Sequence, residues 1–386
     1  MDRKAMLLSS IRRLLQPGEV CLGKGCLCRL AALGGGRALV VAARSAERTG
    51  TSTSVVTHLE KASVATAVWS GESLEPTPDR VRQISQVAGE HQPDWIIAVG
   101  GGAIIDAAKL AWAHYENPTL DLDGERPSAL GPLRSKARFI AIPTTAGAGS
   151  EASQVAVLTD AKLGKKIPWV SSHLVPDIAI LDPVLTASLP PELTACAGMD
   201  ALAHAVEAYV SRLATPMVRM LAAAAIRTVL RHLPRVVQNP EDLDARQAML
   251  DAAYVAGTCQ SASSTGLAHA ISHAAASVLK APHAHCLALL LLPTMRFNAE
   301  HGAAELYRQL AFDAGYSAAG DLIEAINEML GSLPVPRTLT DLIGGGVREP
   351  DWVKKLSAAA IVDVCHRTNP VRATEADVQT IVETLQ

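Results

Sequence analysis

The sequence predicts an α/β N-terminal domain with a parallel sheet, followed by an all-α C-terminal domain. Three observations carry this. The first half alternates continuous apolar runs with helical stretches. Two of those runs end directly in glycine-rich turns. Near Asp182-Pro183 the composition changes: beyond it Ala and Leu dominate and strand signals vanish. We therefore expect domains at residues 1–183 and 184–386.

In chain order, MDRKAMLLSSIRRLL at the N-terminus reads as a short amphipathic helix. It has neither a long apolar core nor a small-residue cleavage site, so it is not a signal peptide. Arg37 to Ala43 (RALVVAA) is the first strand, and Ser63 to Trp69 a weaker second. Pro78 to Glu90 is helical. Trp95 to Val99 (WIIAV) is a strand that runs into three glycines, and a helix follows from Ile104 to His114. Arg138 to Pro143 (RFIAIP) is the fourth strand and Ile178 to Leu181 the fifth; a soft connection rich in Pro, Gly and Asp spans Asp121 to Lys136. Apolar strands separated by helices imply a parallel sheet covered on both faces. Leu193 to Leu213, Val218 to Leu233, Leu243 to Gln260, Leu267 to Leu279 and Ala304 to Ala314 read as helices of a bundle.

Composition excludes several classes. A net charge of -3 gives no electrostatic case for nucleic acid or an anionic membrane surface. The longest apolar run, Cys286 to Leu292, is far too short to span a bilayer. Seven cysteines, an odd number with no zinc-ribbon spacing, read as free thiols in a reducing cytoplasm. Aromatic residues are only 3% of the chain, so the interior must rest on Ala, Leu, Val and Ile.

Chemistry concentrates in the second half. Asp200 and His204 are four residues apart, as are His269 and His273, and His283 follows a proline. Setting Asp200 at angle zero on a helix, His204 lies about 40° to one side and Glu207 about 20° to the other. Such a stripe is often just a solvated face. Here Ala201, Ala203, Ala205 and Ala208 border it, where a wet face carries Lys, Glu or Arg. Small borders let another helix approach, so the stripe is expected to point inward. His269 and His273 repeat the arrangement inside AHAISHAAAS. Three imidazoles and a carboxylate suit a borderline divalent ion, Fe²⁺ or Zn²⁺. The reading is a metal-assisted enzyme with Asp200, His204, His269 and His283 as ligands. His285 is an outer or accidental neighbour.

The glycine turns suggest what the metal assists. Gly100-Gly101-Gly102-Ala103 opens a helix carrying Asp106 and Lys109. Glycine admits a phosphate to the backbone, and free N–H groups of a first helical turn point at it. Thr144-Thr145-Ala146-Gly147-Ala148-Gly149-Ser150-Glu151 lies at a neighbouring strand end. Ligands of such sheets bind at the carboxyl ends of strands. Two such turns suit a ligand longer than one phosphate, and a dinucleotide fits.

These elements, in this order, resemble the iron-dependent (group III) alcohol dehydrogenases over nearly the whole chain. GGGAIIDAAK resembles that family's GGGSxxDxAK, and PTTAGAGSE its PTTxGTGSE. GMDALAHAVEAYVS, GLAHAISHAAASVLKAPHAH and the terminal CHRTNPVRAT resemble further family segments. The resemblance implies a Rossmann-like sheet within the dehydroquinate synthase-like, group III alcohol dehydrogenase fold. It implies that Asp200, His204, His269 and His283 hold the metal, and that His273 stands near the nicotinamide as the catalytic histidine. The cofactor contacts would be Gly100, Gly101, Gly102, Ala103, Asp106, Thr144, Thr145 and Gly149, and the substrate neighbours Val155, Gln260 and Cys365.

Departures from the family pattern refine this. Ala103 replaces a usual Ser, removing a hydroxyl contact to the cofactor phosphate. Ala43 and Arg44 stand where a ribose-binding Asp is common, which admits a 2′-phosphate and favours NADPH, or dual use, over strict NADH. Gln260 stands where many members carry Phe, and it can hydrogen-bond. The expected activity is metal-dependent, NAD(P)H-linked interconversion of a small polar or anionic aldehyde, such as a semialdehyde or phosphonoacetaldehyde, with its primary alcohol. A maleylacetate reductase-type activity, a lyase like dehydroquinate synthase, and a binding protein that keeps the fold are the alternatives. The resemblance implies a homo-oligomer, most simply a dimer, and the unpaired cysteines imply the cytoplasm.

Overall fold

A computed structural model describes residues 13–34, 36–71, 75–124, 127–160, 165–343 and 350–385. The helix expected at the N-terminus falls mainly on residues 1–12, outside the described residues.

Six parallel strands form the main sheet: β1 (Glu19–Leu22), β2 (Gly36–Ala43), β3 (Val64–Gly71), β4 (Trp95–Gly100), β5 (Arg138–Pro143) and β8 (Ile178–Leu181). Their spatial order is β1-β8-β5-β4-β2-β3. Helices α1 (Thr51–Lys61), α2 (Pro78–His91) and α3 (Gly102–Glu116) connect the first strands. Alternate residues of one strand serve opposite faces. Thus Leu39, Val41, Ile96, Ala98 and Phe139 pack with Val81, Ile84 and Trp112, while Val40, Ile97, Val99, Ile140 and Ile180 pack with Val55 and Leu59. Both faces are covered, as the continuous apolar runs predict. All five expected strands form. β1 is additional, and so is an antiparallel hairpin of β6 (Val155–Asp160) and β7 (Lys165–Val170).

Beyond Leu181 the regular elements of the described residues are all helices. The bundle comprises α4 (Pro191–Val210), α5 (Pro216–Gln238), α6 (Leu243–Ser263), α7 (Leu267–Val278), α8 (His283–Asn298), α9 (Ala304–Asp313), α10 (Ala319–Ser332), α11 (Trp352–Val362) and α12 (Glu375–Glu383). Local chemistry starts several of them. Thr215 Oγ1 accepts from Val218 N at 3.3 Å and Asp242 Oδ1 from Ala245 N at 3.0 Å, satisfying first-turn amides of α5 and α6. The Pro-His pair starts α8: Pro282 is the N-cap residue and His283 the first helical residue. Among the described residues no helix is long and apolar enough to cross a membrane.

Two contacts fix how the halves meet. Gly149 adopts φ 63°, the left-handed region natural to glycine, and a Cβ on it would lie 2.5 Å from the Gly257 Cα in α6. A Cβ on Gly147 would lie 2.6 Å from the carbonyl oxygen of Ala197 in α4. The glycine turn after β5 therefore seats directly on two helices of the second domain.

Candidate metal centre and nucleotide cleft

On α4, Asp200, His204 and Glu207 are 5%, 7% and 4% exposed, and Ala201, Ala203, Ala205 and Ala208 are wholly buried. The polar stripe points inward, because alanine borders allow α7 and α8 to close over it. His269, on α7, is likewise buried, and His283 opens α8 beside it. Donor atoms of Asp200, His269 and His283 all lie within 4.8 Å of one another. His204 joins at the side of this trio: its Nδ1 is 3.4 Å from Asp200 Oδ1, and its ring centroid 4.5 Å from that of His269.

The donor set fits a divalent ion. Asp200 Oδ1, His204 Nδ1 and His269 Nε2 are buried and lack any hydrogen-bond partner. Burying three polar atoms with nothing to bind costs several kcal/mol in sum, at roughly 1–3 kcal/mol each. Asp200 Oδ1 lies 3.7 Å from His269 Nε2, and 3.4 Å from His204 Nδ1. Donors arranged tetrahedrally at ~2.1 Å from an ion are ~3.4 Å apart.

Neighbouring groups aim the imidazoles. His269 Nδ1 donates to Glu207 Oε2 at 2.5 Å, and Glu207 Oε1 accepts from Ala268 N at 2.7 Å. A proton on Nδ1 leaves the Nε2 lone pair facing Asp200. Gly266 makes room for this: a Cβ there would stand 3.0 Å from Glu207 Oε1. Ser272 Oγ accepts from His283 Nδ1 at 2.8 Å while donating to the His283 carbonyl at 3.1 Å. The Asn-Pro segment closes the end of α7, Asn369 Oδ1 accepting from Leu267 N at 3.1 Å.

Charge and burial compete here. Burial lowers His204 to about 4, although Asp200 pulls the other way. Burial also drives His283 well below its ordinary value, against the attraction of Asp200. For His269 burial acts downward, but the negative charges of Glu207 and Asp200 and the hydrogen bond to Glu207 prevail and raise it to about 9. Burial pushes Asp200 up, yet the surrounding imidazoles hold its carboxyl well below the usual range.

His273 stacks on His283, with centroids 5.2 Å apart and planes 17° apart, and its Nδ1 lies 3.0 Å from Asp363 Oδ2. Cys365, expected near substrate, is buried in the same group: its Sγ, a carboxylate oxygen of Asp363 and a ring nitrogen of His273 lie within 4.8 Å of one another. The residues next to the other two pocket candidates are bonded to each other. Gln154 N donates to Ser261 Oγ at 3.1 Å and Gln154 Nε2 to Ser261 O at 2.8 Å, which sets Val155 on β6 and Gln260 on α6 either side of one clasp.

The two glycine turns are neighbours. Thr144 N donates to Gly100 O at 3.0 Å, joining the ends of β5 and β4. A Cβ on Gly102 would meet the Cβ of Ala148 at 2.5 Å, and one on Gly101 would meet Thr145 Oγ1 at 3.4 Å. Ala103, Thr144 and Thr145 are half-buried along this seam. Ala43, buried, and Arg44, exposed, stand at the end of β2, the strand beside β4. The expected cofactor contacts therefore line one edge of the sheet. Asp106 faces inward instead: its Oδ2 accepts from Val157 N at 3.0 Å, tying α3 to the hairpin. Lys109 does the same, its buried amine donating to Ser153 O at 2.7 Å and Val155 O at 3.0 Å. Gly149 serves the domain contact with Gly257.

Sequence reasoning assigned no role to Glu207, Ser272, Asp363 or Lys166. Glu207 lies on the stripe that the helical angles pick out. Ser272 adjoins His273, but nothing in its spacing marks it. Lys166, on β7, pairs with Glu75, its Nζ 3.9 Å from Glu75 Oε2.

A parallel sheet with two adjoining glycine turns, joined to a helical half that carries a buried carboxylate-imidazole cluster, is the layout of a metal-dependent nicotinamide oxidoreductase. Residues 17–183 match the family described as iron-containing alcohol dehydrogenase, and residues 194–386 the C-terminal part of the Fe-containing alcohol dehydrogenase family. The chain belongs to the iron-containing alcohol dehydrogenase family. It is 33% identical over 381 residues to the NADPH-dependent butanol dehydrogenase of Clostridium saccharobutylicum, covering 96% of this chain and 97% of that one. The iron-containing alcohol dehydrogenase structure of Thermococcus thioreducens superposes with a TM-score of 0.87 at 31% identity, covering 96% and 98%. Sulfoacetaldehyde reductase from Bifidobacterium kashiwanohense in complex with NAD⁺ superposes with a TM-score of 0.85 at 27% identity, covering 97% and 98%. The protein is thus a metal-dependent, NAD(P)-linked alcohol dehydrogenase, with iron the metal of its family. That membership sets the lyase alternative aside.

Proposed function

We propose that this enzyme reduces a small polar or anionic aldehyde to its primary alcohol, reversibly, with Asp200, His204, His269 and His283 as metal ligands. The observation that carries the reading is the set of buried, partnerless donor atoms on Asp200, His204 and His269, next to a seam of two glycine turns. When bound, the divalent ion supplies Lewis acidity to the carbonyl oxygen and the reduced nicotinamide supplies a hydride.

The chain's own groups do the rest. Glu207 and Ser272 fix which nitrogens of His269 and His283 face the centre. The glycine turns would hold the cofactor's pyrophosphate with their backbone N–H groups, and the first turn of α3 favours negative charge. Gln260, Val155 and Cys365 bound the substrate space. His273, at the rim, passes the proton that the developing alcohol requires.

A polar or anionic substrate is supported by Gln260 and by the similarity to a sulfoacetaldehyde reductase. NADPH use is supported by Arg44 at the end of β2 and by the NADPH-dependent relative. The seven cysteines stand as free thiols, which suits the cytoplasm, and we propose a homodimer. The test is a panel of carboxylated, sulfonated, phosphonylated and alkyl aldehydes, assayed with NADH and NADPH in parallel and with metal quantified on the same sample. Turnover confined to apolar alkyl aldehydes would overturn the substrate class; turnover independent of metal would overturn the centre.

A further inference from the structure

Asp363 lies 90 residues beyond His273, in the turn between α11 and the terminal segment. Its carboxylate is held from two sides, by Cys365, whose thiol bonds it as well as the backbone N–H, and by His273. Oδ1 accepts from Cys365 N at 2.8 Å, and Oδ2 stands 3.0 Å from His273 Nδ1. Burial pushes this carboxyl up, but the hydrogen bond and charge of His273 and the Cys365 N–H outweigh it, so the group stays ionised. An ionised carboxylate only accepts hydrogen bonds. Nδ1 of His273 must therefore carry a proton, and Nε2 becomes the nitrogen left to exchange one at the cleft. The stack on His283 fixes the plane of the ring, and the bond to Asp363 fixes its rotation within that plane.

We propose that Asp363 is the positioning residue of His273, setting its tautomer and rotation so that Nε2 faces the reacting carbonyl. The inference rests on the reading of His273 as the proton-passing group. Asp363 itself need not touch substrate.

The discriminating variant is Asp363→Asn. It keeps the shape of the side chain, and the rigid backbone N–H of Cys365 still requires an acceptor. The amide oxygen must stay on that side, which turns the NH₂ group toward His273 Nδ1. Nδ1 then has to accept, and the proton moves to Nε2. An isosteric change thus reverses the hydrogen-bond polarity without opening a cavity, by the same logic that makes Asp→Asn harmful in serine-protease triads.

The experiment compares the native enzyme with Asp363→Asn, His273→Ala and the double variant. It measures kcat and KM, metal content, NADPH binding by fluorescence, and the His273 tautomer by ¹⁵N NMR of the zinc-loaded protein. The expected result for Asp363→Asn is a kcat lower by roughly 10–100-fold. Metal content and NADPH affinity should be unchanged, and the His273 proton should shift from Nδ1 to Nε2. In the His273→Ala background, Asp363→Asn should cost nothing further, because its effect runs through that ring.

Additive losses would show that Asp363 acts independently and overturn the proposal, as would an unchanged tautomer or loss of the metal. If His273→Ala leaves kcat intact, the reading of His273 falls instead. That case is recognisable because Asp363→Asn would then alter the tautomer without altering turnover.

Discussion

At the scale of single residues, the centre depends on which atom of each side chain is left without a partner. His269→Ala removes the Nε2 that faces Asp200, and the expected outcome is loss of retained metal and of turnover, with NADPH binding still measurable by fluorescence. Turnover at the native level would exclude His269 as a ligand. Glu207→Gln is subtler. The amide replaces one acceptor of the bond to His269 Nδ1 and the Ala268 N–H, so the ring loses its fixed tautomer. Metal affinity should fall about 10–100-fold, measured by chelator competition, with little change in secondary structure by circular dichroism. The ligand helices betrayed themselves in the sequence because i,i+4 spacing and alanine borders are local. Asp363 did not, since only tertiary folding brings it to His273.

At the scale of elements, what was legible followed from how each segment is buried. Strands with both faces covered read as unbroken apolar runs, and all of these were found. β1 is four residues long and mostly half-exposed, and so gives no such run. The β6–β7 hairpin carries lysines and a proline, since only alternate positions pack on α3. α8 hid for the opposite reason: Cys286 to Leu292 is apolar all round and shows no helical stripe, and Pro293 sits within it. The helix α6 owes its place to Gly257. Gly257→Ala would set a Cβ 2.5 Å from the Gly149 carbonyl oxygen. Such overpacking costs about 1–3 kcal/mol, so thermal unfolding should begin at lower temperature, with cofactor affinity reduced as the β5 turn shifts. An unchanged melting profile would mean that the contact yields freely.

For the whole molecule, metal, protons and stability are linked. Without metal, His269 is raised to about 9, so near neutral pH it carries a proton that the unfolded chain mostly lacks. A raised folded value contributes stability below the unfolded value, and that contribution disappears as pH climbs through about 9. Metal needs the neutral ring and must expel this proton. Metal affinity should therefore rise between neutral pH and about 9, with about one proton released per ion near pH 7.5. Calorimetry in buffers of different ionisation enthalpy measures that count; zero release would contradict the charge balance described for Glu207 and Asp200. Chelation should also lower thermal stability, by about 4 kcal/mol where free metal had stood a thousandfold above its dissociation constant.

The glycine pair that joins the halves has a consequence for descent. Gly149 and Gly257 press main chain on main chain, so whichever acquired a side chain first would strike its counterpart's backbone. No single substitution leads away from that arrangement without a penalty, and no second substitution can prepare the ground for the first. The seam is held in place by mutual exclusion: neither glycine can gain a side chain while the opposite backbone stays where it is.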